Sequence, residues 1–157
     1  MVMINHNNTQ EVSRVNFPVT VLIRRTEDLD KIRDIRTIIF NKELGISQNN
    51  IFDNDDQKLE EFFIINHDSI IGTFRLRKEN NSYKIERMGI LSQYRSKGFG
   101  KIALQEIKTL SKKMGKSKII LDSIYDARNF YANSGFIQVG NVYSKVGIPH
   151  VNMYLDL

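Results

Sequence analysis

A chain of 157 residues with 41% hydrophobic and 26% charged residues has an ordinary globular composition, and at this length it buries roughly 70% of the surface its extended chain exposes. It has no cysteine, which excludes disulfides, thiolate metal sites and a cysteine nucleophile and makes a reducing, cytoplasmic compartment the default; its three histidines (His6, His67, His150) lie too far apart for a local metal motif, so no metal is expected. The excess of 23 basic over 18 acidic residues, +5 in all, gives a modest positive field suited to a polyanionic ligand.

Met1 to Asn16 is polar and Asn-rich with no continuous apolar core, so it reads as a flexible leader rather than a signal peptide or membrane span, and the folded part is expected over 17–157. Val19 to Arg25 is a β-branched run and the first predicted strand. Glu27 to Leu44 carries Leu29, Ile32, Ile35, Ile39 and Phe40 at helical spacing, with Thr26 as the expected N-cap and Gly45 as the stop. Asn49 to Lys58 is polar and acidic, a loop or short helix. Phe62 to Asn66 and Ile70 to Arg77 read as a hairpin, and Tyr83 to Leu91 as the next strand after a turn at Lys78 to Ser82.

Arg95-Ser96-Lys97-Gly98-Phe99-Gly100 follows, and then an amphipathic helix to Met114 with Ala103, Ile107, Leu110 and Met114 on one face. A strand, a tight glycine turn and a bare helix start together offer unpaired N–H groups, a favourable dipole end and flanking cations to one anionic group, most naturally a pyrophosphate. The spacing excludes both G-x-x-x-x-G-K-[ST] and G-x-G-x-x-G. Lys118 to Asp122 is a short buried strand, Asp126 to Asn133 a short helix stopped by Gly135, and Phe136 to Gly140 and Val151 to Leu155 are the last strands. This order, β-α-β-β-β-α-β-α-β-β, implies an α/β fold with mixed sheet pairing and helices on both faces. Lys108, Lys112, Lys113, Lys116 and Lys118 cluster near the end of the long helix. Such cations complement a helix C-terminus, and no aromatics are interleaved for base stacking, so a solvated face is the better reading and no nucleic-acid partner is expected.

The R-x-x-G-x-G turn after a strand resembles the acyl-CoA signature of the GNAT superfamily of N-acetyltransferases. A second segment, Asn129-Phe130-Tyr131-Ala132-Asn133-Ser134-Gly135-Phe136, resembles that family's F-Y-x-x-x-G-F helix and stands in the right order. Arg36 to Phe40 with Glu43, Asp53 to Asp56, Gly72 to Leu76, Glu86-Arg87-Met88 and Gly147-Ile148-Pro149-His150 narrow the likeness to small bacterial and archaeal acetyltransferases, over about 19–157. A histidine often found before the second strand of that branch stands here as Glu61 or Phe62, so its role does not transfer. Part of the pattern is also similar to acyl-homoserine-lactone synthases, but those usually carry a tryptophan in the N-terminal third and this chain has none.

The resemblance implies a mostly antiparallel central sheet splayed between strands 4 and 5, and acetyl transfer from acetyl-CoA to a primary amine by direct attack. It places Met88, Gly89 and Ile90 along the pantetheine arm, with a backbone N–H at Met88 on the thioester oxygen and Gly89 allowing close approach. The pyrophosphate would meet Ser96 and the N–H groups of Lys97, Gly98, Phe99 and Gly100, with Arg95, Lys97 and Lys101 supplying charge. Tyr131 is placed near the CoA sulfur as general acid, Phe130 and Phe136 in the core, and Asn129 either on the CoA arm or as a helix cap. Glu86 alternates with Met88 and Ile90, so in a regular strand it is expected on their apolar face, where its pKa would rise, while a bulge would change its facing. It is either the general base or an ion-pair partner of Arg75 or Arg87. Arg36, Asp53, Asp56, Arg75 and His150 would face the acceptor, Arg36 more in a structural role, and His150 in a late loop as pocket base or surface residue. A silent acyl-CoA-binding module and transfer of a longer acyl chain are alternatives, and the resemblance leaves a homodimer open.

Overall fold

The computed structural model describes residues 19–55 and 58–157. The leader expected over 1–16, and the candidate Asp56, lie outside them. Seven strands form one sheet in the order β1-β2-β3-β4-β5-β7-β6. They are β1 (Leu22–Thr26), β2 (Glu60–Asn66), β3 (Ser69–Glu79), β4 (Ser82–Ile90), β5 (Lys118–Ile124), β6 (Ile137–Lys145) and β7 (Ile148–Asp156). All neighbours pair antiparallel except β4 and β5, which run parallel.

Helices cover both faces, as the alternation of elements predicts. On one face α3 (Phe99–Lys113) lays Phe99, Ala103, Leu104 and Ile107 on Phe62, Phe74, Ile85 and Leu121. On the other, α1 (Leu29–Arg36) and its continuation bring Ile32, Ile35, Ile39 and Phe40 against Phe63 and Ile65, with Ile51 of the short helix α2 (Gln48–Ile51) closing the cluster. The N-cap of α1 is Asp28, whose carboxylate accepts from Lys31 N at 3.0 Å, and not Thr26, whose hydroxyl instead accepts from Asp28 N.

The helix predicted over 27–44 is α-helical only to Arg36 and widens to a π-helix over Thr37–Lys42. In this wider turn Ile39 and Phe40 are both buried and meet Gly89 of the sheet. A Cβ on Gly89 would lie 2.8 Å from Ile39 Cγ2 and 3.3 Å from Phe40 Cζ, so the absence of a side chain makes room for the helix.

Strand β4 contains the feature that positions the site. Thr73 pairs with Gly89 and Arg75 with Glu86, so β4 spends two residues, Arg87 and Met88, where β3 spends one. Arg87 sits in this bulge at φ +51°. Side-chain alternation is therefore reset: Tyr83 and Ile85 face α3 before the bulge, and Met88 and Ile90 face it afterwards. The expectation that Glu86 shares the apolar face of Met88 and Ile90 fails for this reason. Glu86 lies on the opposite face with Arg75 and Arg77.

Pairing of β4 with β5 ends at Ile85↔Leu121, although β4 runs on to Ile90 and β5 to Ile124. The strands part there, as the resemblance implies. Strands β6 and β7 are longer than predicted because Val146 and Gly147, both at positive φ, make a two-residue turn that lets pairing continue to Lys145↔Ile148. His150 is consequently a buried strand residue, paired with Ile124 and Tyr143, and not a loop residue.

Overfilling a packed contact of this kind costs about 1–3 kcal/mol. Gly89→Ala should lower the urea midpoint correspondingly, and Ile39→Ala in the same chain should recover part of the loss. An alanine variant as stable as the parent would show that the π-helical segment moves aside freely.

Candidate functional site

The glycine turn comes first. A short 3₁₀ turn (Ser92–Tyr94) leads from β4 to Ser96 at φ +58° and Gly98 at φ +86°, and Gly98 is the N-cap of α3 with no side chain capping that end. A Cβ on Gly98 would touch nothing within 4 Å, so glycine is needed there for its backbone conformation. At Gly100 a Cβ would lie 3.0 Å from the Phe130 ring, so a side chain there would press that ring aside. The fifteen-residue helix starts without a side-chain cap for its first N–H groups, with Lys97 and Lys101 exposed nearby. Arg95 is already engaged: its Nε donates to Ile90 O at 2.7 Å and its guanidinium pairs with Glu43 at the end of the π-helical segment.

A cavity of about 440 Å³ opens where β4 and β5 part. Met88, Ser123, Ile124, Ala127, Tyr131 and His150 line it on the side of β5 and β7. Tyr131 lies in α4 (Arg128–Ala132) and is held edge-on between Phe130 and Phe136, at centroid distances of 5.0 and 5.7 Å. No hydrogen bond to its hydroxyl occurs among the described residues, and burial pushes the phenol up to about 12. Tyr131 is therefore a fully protonated donor at neutral pH. Phe136 is buried as expected, whereas Phe130 is 37% exposed beside Gly100 and is not core. Asn129 is exposed on the same short helix, away from the cavity.

His150 Nδ1 lies 2.8 Å from the carbonyl oxygen of Ile148. A carbonyl only accepts, so Nδ1 carries the hydrogen and the lone pair of the neutral ring belongs to Nε2.

The opposite wall is an ion-pair lattice. Arg75, fully buried, gives two parallel hydrogen bonds to Asp53 at 2.9 and 2.8 Å and a third from Nε to Glu86 at 2.8 Å. Arg77 bonds Glu86 at 3.1 Å and Asp55 at 2.9 Å. Burial raises the Glu86 carboxyl, but hydrogen bonds and charge from Arg77 and Arg75 outweigh it and leave it below its ordinary value. That is the reverse of the elevated pKa expected, because the bulge turned the carboxylate toward guanidinium groups. Its partners are Arg75 and Arg77; Arg87 donates instead to the carbonyls of Ile51 and Asn50. The hydrogen bonds from Arg75 hold Asp53 well down, at about 2, against a smaller opposing effect of burial.

Arg36 does not line the cavity. It is fully buried and donates to Glu61 Oε2 at 2.6 Å, which fastens α1 to β2. Sequence reasoning missed a further cluster: Lys84 of β4 and Lys145 of β6 both contact Asp122 Oδ2 of β5, at 3.1 and 2.8 Å. Three strands bring these residues together, so no local spacing announces them. Among the described residues no group of three His, Cys, Asp or Glu is placed to hold a metal ion, and no helix is long and apolar enough to cross a membrane.

A sheet that opens between its two parallel strands, with an uncapped glycine-turn helix at the opening and a desolvated tyrosine inside it, is the architecture of an acyltransferase of the GNAT class. The model of the acetyltransferase (GNAT) domain family matches residues 46–157, and the chain belongs to that family. An uncharacterized protein of Bacillus subtilis, YyaT, is 30% identical over 133 residues, covering 83% of this chain and 90% of its own. A Bacillus subtilis acetyltransferase solved in complex with CoA superposes with a TM-score of 0.68 at 19% identity, over 88% of this chain and 99% of that one. Spermidine N-acetyltransferase from Vibrio cholerae, solved with CoA and spermine, superposes at 0.65 with 17% identity, over 87% and 95%.

A carboxyl whose folded pKa lies below its unfolded value stabilises the fold fully above the unfolded pKa, and the contribution is lost as pH falls through the folded one. For Asp53 that window runs from about 3.8 down to about 2. Urea unfolding followed through this range should show stability falling with pH, less steeply in Asp53→Asn; identical slopes would show that the Arg75–Asp53 pair carries no net stabilisation.

Proposed function

We propose that the protein is an N-acetyltransferase that moves the acetyl group of acetyl-CoA to a primary amine by direct attack, in the cytoplasm. The observation that carries this reading is the parting of β4 and β5 around Tyr131, whose hydroxyl has no hydrogen-bond partner among the described residues. Acetyl-CoA supplies an acyl group already activated as a thioester. Ser96 and the N–H groups of Lys97 to Gly100 hold its pyrophosphate, with charge from Lys97, Lys101 and Arg95, the last in exchange for part of its pairing with Glu43. The edge of β4 from Met88 to Ile90 holds the pantetheine arm as an added strand, and the backbone N–H at Met88 in the bulge polarises the carbonyl.

Acetyl transfer requires that the acceptor ammonium lose a proton and that the departing sulfur gain one. His150 Nε2 is the base, because the Ile148 carbonyl fixes the tautomer that leaves its lone pair available. Tyr131 is the acid. Glu86 is a weaker candidate for base than its sequence position implied, since two arginines occupy both its oxygens. It serves instead with Arg75, Arg77 and Asp53 to hold the acceptor wall rigid.

Calorimetric titration with acetyl-CoA, followed by a thiol-release assay with a panel of amines, tests the reading. Tyr131→Phe should bind acetyl-CoA as the native protein does while kcat falls about 100-fold, within the range typical of general acid catalysis. His150→Gln should lower kcat while leaving acetyl-CoA binding unchanged. Absence of acetyl-CoA binding at high micromolar concentration would overturn the function, and an undiminished kcat in Tyr131→Phe would overturn the role of the phenol.

A further inference from the structure

The charges around the acceptor end of the cavity divide into two groups that differ in balance. Arg75, Arg77 and Arg87 face Asp53, Asp55 and Glu86. Each of these carboxylates is hydrogen-bonded to a guanidinium within 3.1 Å, and Arg87 adds a looser contact to Asp53 at 3.7 Å. Among the described residues, three cations against three anions leave no net charge on that wall. The second group is Lys84, Lys145 and Asp122, in which both ammonium groups lean on one carboxylate oxygen. One negative charge shared by two positive ones leaves a surplus of one cation, and both lysine side chains are part-exposed, at 23% and 42%. The lysines keep N–H groups that a single shared oxygen does not use, since each ammonium has three donors.

We propose that this lysine pair is an oxyanion subsite, and that the acceptor is a small amine that also carries a carboxylate or phosphate. The proposal rests on the acetyl-transfer reading and specifies its substrate class. Position agrees with charge. Asp122, on which both ammonium groups rest, pairs with Asn152, two residues after His150 in β7, so the subsite lies about 7 Å along the strand from the proposed base. An amine and an oxyanion separated by a few bonds span that interval. Among the described residues a polycation finds no comparable partner: Asp53, Asp55, Glu86 and Asp122 are committed to arginine or lysine, and a polyamine would have to displace these cations while meeting the surplus positive charge. The net charge of +5 also favours entry of anions over cations.

Ethanolamine, β-alanine, O-phosphoethanolamine and putrescine form a series of similar size with a neutral, carboxylate, phosphate or second cationic end. Thiol release from acetyl-CoA with each should give kcat/KM about tenfold or more higher for β-alanine or O-phosphoethanolamine than for ethanolamine, as one added charge-assisted hydrogen bond warrants, and the better of the two identifies the oxyanion. That preference should collapse in Lys145→Met and persist in Lys145→Arg, with thermal unfolding confirming that both variants are folded. Ethanolamine or putrescine as the best acceptor would overturn the subsite while leaving acetyl transfer standing. If no amine is acetylated, the acetyl-transfer reading fails, and calorimetric titration with N-acetyl-β-alanine and N-acetylputrescine decides the subsite alone: preference for the former, lost in Lys145→Met, supports it, and equal binding overturns it.

Discussion

One extra residue in β4 governs the arrangement of everything near the cavity. The bulge at Arg87 holds a non-glycine residue at positive φ, a conformation that costs on the order of 1 kcal/mol or more and persists only where its surroundings enforce it. Here the same residue supplies the enforcement, since its guanidinium donates to the carbonyls of Asn50 and Ile51 at 3.0 and 3.1 Å. Those bonds satisfy the end of α2 and hold the segment leading to Asp53 beside the sheet. The bulge in turn sends Glu86 to the polar face and Met88 to the apolar one. It lies within the stretch where β4 leaves β5, so the reset of facing and the opening of the sheet occur together.

Charge on the polar face follows from that reset. A carboxylate buried beside Met88 would be poorly solvated and would resist ionising, whereas beside Arg75 and Arg77 it stays charged below its usual range. The desolvation of Arg75 is then tolerated because it makes charge-assisted hydrogen bonds to both Asp53 and Glu86. Arg36 and Glu61 repeat the arrangement one layer away, beneath α1. Both sets join elements distant in sequence, so removing a carboxylate would weaken the compensation of a buried guanidinium as well as loosening a helix or loop.

Local chemistry was legible in the chain; geometry that depends on register was not. Gly98 announced its turn, α3 announced its buried face through Ala103 and Ile107, and the Phe130–Phe136 segment announced Tyr131, because each signal lies within a few consecutive residues. The bulge left no such mark, since Arg87 is neither glycine nor asparagine, and with it the facing of Glu86 was lost. Val146-Gly147 lacks the usual Asn-Gly pattern of a tight hairpin, so β6 and β7 read too short and His150 was assigned to a loop. Lys84, Asp122 and Lys145 were invisible for a different reason: they belong to three strands whose order along the sheet only the fold sets.

The π-helical segment shows why these parts are not independent. Its six residues place Ile39 and Phe40 on bare Gly89 in β4, Phe40 also forms part of the cavity wall, and the next residue, Glu43, holds Arg95 at the start of the glycine turn. An α-helical continuation would turn Ile39, Phe40 and Glu43 about the axis together, away from Gly89 and Arg95. The gap at Gly89 would then stand empty and the contact with Arg95 would be lost. Packing at one end and an ion pair at the other therefore select the same winding. A side chain at Gly89 would act on both the strand that flanks the cavity and the loop beneath α3 through this one segment.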